Sequence, residues 1–122
     1  MLHSLTIGHL DGEAVRRGKI HLLRPLDMAV TTQVLREVGT IDEHGQVWLG
    51  KARVDFRDGY VVCPWLGSYR HQLVEDFAWR LQSMTGCIVA DIPHREVIDL
   101  ALILAARDSE NRSYPLIDRS AS

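Results

Sequence analysis

The sequence predicts an α+β fold: a mainly antiparallel sheet covered on one face by two helices in the ferredoxin-like split βαβ arrangement, with a further helix added at the C-terminal end. Three observations carry this. From Tyr69 to Gly86 the apolar residues Leu73, Val74, Phe77, Ala78, Leu81 and Met84 share one face at about 100° per residue, the pattern of a helix lying on a sheet. Between Thr40 and Cys63 the residues alternate and turn as three antiparallel strands. Cys87 to Ile92 is a run apolar at every position but Asp91, typical of a central strand.

Composition sets the class. With 122 residues, 46% hydrophobic and 25% charged, the chain has an ordinary globular mix and is read as one domain over residues 1–122, with 1–17 and 108–122 peripheral. Net charge is −2 and Arg16-Arg17 is the one adjacent basic pair, so the concentrated positive stripe of a nucleic-acid binder is missing. The two cysteines form no CxxC, no secretory leader is visible, and no apolar run reaches membrane-spanning length. These features predict a cytoplasmic protein with neither nucleic acid nor membrane as partner.

In chain order, residues 1–10 alternate as a first strand, and Asp11-Gly12 is a turn signal. Charged residues 13–18 lead into a strand from Lys19 to Leu23. Asp27 caps a helix from Met28 to Val38 whose apolar face is Val30, Val34, Leu35 and Val38, and Gly39 stops it. Thr40 to Asp42 is a short strand and 43–46 a turn. Val47 to Phe56 is one longer strand, with Ala52, Val54 and Phe56 on one face. Arg57-Asp58-Gly59 then turns the chain into Tyr60–Cys63, which Pro64 ends because proline cannot donate to the ladder.

Ser68 is placed to cap the 69–86 helix and Gly86 to close it. After the 87–92 strand, Pro93 starts a helix over 95–107. Its residues are apolar almost all round, so it must be covered on more than one face, by the fold or by a second copy of the chain.

Candidate functional residues follow from these placements. Trp79 points away from the apolar face of its helix, among Gln72, Glu75, Asp76, Gln82 and Ser83. A tryptophan set among acids and amides suits an interface anchor, against the plainer reading that the C-terminal segment folds over it. Glu75 and Asp76 diverge by about 100° and read as a solvated face rather than an acid–base pair. Trp65 and Tyr69 flank Gly67-Ser68 as an aromatic ledge, with Arg70 and His71 beside it, where core closure is the plainer reading.

Cys63, His71, Cys87 and His94 are metal-ligand types, but their spacing matches no zinc signature and no metal or other cofactor is expected. Cys63 with His71 or His94, or Ser68 with His71 and Asp76, can be written as a nucleophile and base; no nucleophile elbow supports either.

The leading expectation is a small protein-binding domain acting through Trp79, Asp76, Glu75, Gln72, Trp65 and Tyr69. Its size and makeup compare with the inhibitor or immunity class of bacterial proteins, with no residue pattern behind that analogy. An enzyme or small-molecule binder would need a pocket near Trp65, Tyr69, His71 and His94. The third alternative is a structural dimer through residues 95–107.

Overall fold

The computed structural model describes residues 3–65 and 72–109. Its main sheet is antiparallel throughout and is organised on β1 (His3–Leu10), which pairs with β7 (Val61–Trp65) on one side and β8 (Ile88–Asp91) on the other. β6 (Asp55–Phe56) extends the sheet beyond β7, β9 (Glu96–Val97) extends it beyond β8, and β2 (Leu22–Arg24) pairs with the far end of β1. A second antiparallel sheet holds β3 (Thr40–Ile41), β4 (Val47–Leu49) and β5 (Ala52–Arg53).

The helices are α1 (Gly12–Arg16), α2 (Met28–Val38), α3 (Gln72–Thr85) and α4 (residues 100–109). Alternation on the strands decides the core. Leu5 and Ile7 of β1, Val61 and Cys63 of β7, and Val89 of β8 all point to one face. There they pack with Val34 and Leu35 of α2 and with Val74, Phe77, Ala78 and Leu81 of α3. On the other face Leu10, Val15 of α1 and Ala90 form a smaller cluster with Leu22, Ile88 and Ile92.

α2 forms where the sequence places it. The Asp27 carboxylate accepts from Ala29 N and Val30 N at 3.0 and 3.2 Å, satisfying two of the donors that a helix start leaves open. Gly39 closes it for a different reason from the expected one. Its φ is −105°, and a Cβ there would lie 2.6 Å from the backbone oxygen of Trp48. Close approach of the second sheet, rather than a left-handed turn, requires glycine.

Several expectations are corrected, first among them the peripheral place given to residues 1–17: residues 3–10 are the strand on which the main sheet is organised, and 12–16 pack beside it. Residues 12–16 are helical, with Asp11 as cap (its carboxylate accepts from Glu13 N), and the strand read over 19–23 is confined to Leu22–Arg24. The strand read over 47–56 is three short ones, because the chain turns at Gly50 and β4 and β5 form a hairpin. Phe56 is thereby 42% exposed instead of inward. β7 continues through Pro64 to Trp65, with Pro64 opposite Ser4 of β1 and beyond the pairing with β6, which reaches Val62.

In α3, Leu73 and Met84 are exposed, since the buried face is narrower and is built on Val74, Phe77, Ala78 and Leu81. Ser68 and the first turn read over 69–71 lie outside the described residues, as do residues 110–122. The helix read over 95–107 begins instead at residue 100. Asp99 caps it, accepting from Leu102 N, and Glu96–Val97 pairs with β8. Its covering is one-sided: Leu100 is buried while Leu102 is 68% exposed.

Candidate functional site

The inward series on three adjacent strands changes character at one end of the sheet. Ile7 and Leu5 lead to His3, Val61 and Cys63 lead to Trp65, and Val89 leads to Asp91. Asp91 is 1% exposed, and both carboxylate oxygens are taken: His3 Nδ1 lies 2.6 Å from Oδ2 and His94 Nδ1 2.9 Å from Oδ1. The two imidazoles stack at a centroid separation of 4.2 Å, and His3 and Trp65 form a T-shaped pair with centroids 5.9 Å apart.

His94 is brought in by the turn after β8, where its own backbone N–H donates to Asp91 Oδ1 and Arg95 N–H to the carbonyl of Ile92. Arg95 closes that turn at φ 57°, a left-handed conformation that costs a residue with a Cβ about 1–2 kcal/mol. The turn therefore carries strain beside the cluster.

Burial acts most strongly on Asp91 and pushes its carboxyl upward. The hydrogen bonds from His3 and His94, with the charge of His94, outweigh it and hold the group below the usual carboxylate range. An ionised carboxylate only accepts, so both imidazoles present Nδ1–H to it.

Beside the cluster opens a cavity of about 420 Å³ with apolar walls from Trp65, Val97, Ile98, Leu102 and Ile103. His3 and Asp91 are at its polar end, and Glu96 and Asp99 also line it. A second concavity of about 590 Å³ lies on the other side of His3 and Trp65, between the two sheets, where Lys51 and Arg53 meet Trp48 and Pro64.

The indole of Trp65 donates to Glu75 Oε2 at 3.0 Å, and Arg107 of α4 donates to Glu75 Oε1 at 3.3 Å and to Asp76 Oδ1 at 2.8 Å. Glu75 is thus a fully buried link between β7, α3 and α4, not the solvated carboxylate expected, and Asp76 is engaged with Arg107. The hydrogen bond to Asp76, opposed by burial, is the largest influence raising Arg107 above its ordinary value.

Trp79 is 39% exposed on α3, and Gln72 is exposed near it. Tyr69 and His71 lie outside the described residues. Cys63 is buried and its thiol is pushed up to about 12, by burial first and then by the charge of Asp55. Burial likewise raises Cys87. Neither offers a thiolate near neutral pH, which argues against the cysteine nucleophile written from sequence. Among the described residues His94 groups with His3 and Asp91, not with the cysteines.

No family model matches the chain, and no match was found among curated proteins or solved structures.

Proposed function

We propose that this chain is a ligand-binding domain that takes a small, mainly apolar molecule carrying a polar group into the cavity beside His3, Trp65 and Asp91. The observation that carries the reading is a buried carboxylate held by two stacked imidazoles at the end of an apolar cavity whose volume lies within the range of small-molecule sites. The test is ligand-observed NMR with a set of aromatic and branched aliphatic amines, alcohols and carboxylates. Binders should be lost in Leu102→Trp, which fills the cavity from α4. A set without binders, or binders indifferent to that substitution, refutes the proposal.

A second reading keeps the protein-binding domain, of inhibitor or immunity type and cytoplasmic; the exposure of Trp79 supports it. Trp79→Ala should then abolish capture of a partner from the native host while the free protein keeps its melting temperature. A homodimer through α4 is the structural variant of this reading, with exposed Leu102 as its support.

For the framework we propose the ferredoxin-like arrangement. The order β6-β7-β1-β8 is what two interleaved βαβ units give, each crossover (α2 from β1 to β6, α3 from β7 to β8) stepping over one strand. No described helix is long and apolar enough to cross a membrane.

A further inference from the structure

We infer that His3, Asp91 and His94 form a binding site for a divalent first-row transition-metal ion. This rests on the same corner as the proposed ligand site but needs no occupant of the cavity. One donor atom from each of the three residues lies within 4.8 Å of the others. Four-coordinate binding with bonds of about 2.0–2.2 Å sets donor atoms about 3.3 Å apart. His3 and His94 meet different oxygens of Asp91, so to share one ion the three donors must close from within 4.8 Å to about that spacing, and the stacked rings must turn until their lone pairs converge.

The movable partners are well placed for that. Asp91 is fixed at the end of β8, whereas His3 stands at the first position of β1 and His94 in the following turn. Their side chains are 38% and 28% exposed, so the cluster is open to solvent on one side. An ion can enter there and keep coordination positions for water.

Charge points the same way. A buried, ionised carboxylate needs donors or positive charge near it, and Asp91 is met by the two imidazoles and the backbone N–H of His94. A single divalent ion would replace the two bridging protons as the positive link between the imidazoles and the carboxylate. Each neutral imidazole would offer its Nδ1 lone pair and carry its proton on Nε2, so no proton is lost; an imidazolium would release one. Two nitrogens and one oxygen select zinc, cobalt, nickel or copper, and disfavour calcium and magnesium, which take oxygen ligands.

The test uses the full chain, stripped with a chelator and titrated with Co²⁺ by visible absorption and with Zn²⁺ by calorimetry. One ion per chain should bind, with Co²⁺ bands of nitrogen and oxygen ligation, and affinity should fall as pH is lowered and the imidazoles protonate. His3→Ala and His94→Gln should each weaken binding at least about tenfold, and Mg²⁺ should not compete. Asp91→Asn should do the same, and if that variant does not fold the two histidine variants decide the question.

Leu102→Trp should leave metal affinity unchanged, which separates failure of this proposal from failure of the cavity reading. Absence of stoichiometric binding overturns the site, leaving a hydrogen-bonded clasp only. Undiminished binding in the His3→Ala/His94→Gln double variant also overturns it.

Discussion

Replacing Arg107 with alanine tests whether α4 is locked onto α3 by charge. The guanidinium reaches Glu75 at 3.3 Å and Asp76 at 2.8 Å; its side chain is 15% exposed, that of Glu75 fully buried and that of Asp76 42% exposed. Removing one partner of a buried pair costs roughly 3–5 kcal/mol, chiefly because the other charge stays behind in low dielectric. The more exposed Asp76 pair adds at most about 0.5 kcal/mol. Because Arg107 itself touches solvent, we expect the low end, about 3 kcal/mol. In a chain of this length that is a fall of about 10 °C in melting temperature. Urea unfolding at neutral pH measures it, the midpoint moving with little change in slope.

The double variant Glu75→Gln/Arg107→Ala supplies the control. The amide oxygen still accepts from Trp65 Nε1, but no charge is stranded, so at least about 1 kcal/mol should return. A loss below about 1 kcal/mol in Arg107→Ala, or a double variant weaker than the single one, refutes this account of the contact.

Three further outcomes follow from the same coordinates. Gly39→Ala drives a Cβ to 2.6 Å from the Trp48 carbonyl and should destabilise by about 1–3 kcal/mol in chemical unfolding, although alanine is the better helix former. Asp91 has a depressed folded-state carboxyl, so its contribution to stability is complete above the unfolded value of about 3.9 and is lost as pH falls through the lower folded value. Unfolding curves measured between about pH 5 and 2 should therefore show a flatter acid decline for Asp91→Asn than for the parent. Cys63 and Cys87 are buried with raised pKa values, so a chromogenic disulfide reagent should find no fast-reacting thiol at pH 8 in the native protein and two after unfolding.

What the sequence made legible was local. Asp27 and Gly39 bracket α2, and its bounds follow to the residue. The alternation of β1 likewise shows which of its residues face inward, and the apolar run of 87–92 marks β8 as a strand covered on both faces. The hairpin at Gly50 escaped because each half alternates well; the signal was a change of phase, with Val47 and Leu49 buried on odd positions and Ala52 and Val54 on even ones. α4 starts later than Pro93 suggests because Asp99, nearer the apolar run, supplies the capping carboxylate.

The surface role given to Glu75 failed for a reason the helix pattern cannot reveal. A carboxylate is tolerated in the core only where donors meet it, and those come from β7 and α4, 10 and 32 residues away. His3 and Asp91 are 88 residues apart, so no spacing motif connects them. The usable clue was strand phase: extending the inward series by one step from Leu5 and from Val89 lands on an imidazole and a carboxylate.

That clue also argues that the corner does something. His3 and Asp91 occupy inward positions where leucine or valine would continue the core under α4. Burying a carboxylate has a desolvation penalty, and replacing buried ionic groups by apolar side chains of matching volume is often neutral or stabilising. The turn that delivers His94 adds the left-handed Arg95, where glycine would relieve the backbone. Trp65 packs against His3 with the two rings nearly perpendicular while its N–H is fixed by Glu75. Strain, a buried charge and oriented donors gathered at one end of the sheet are poorly explained by stability. They are the features that the proposed ligand and metal sites would require of this corner.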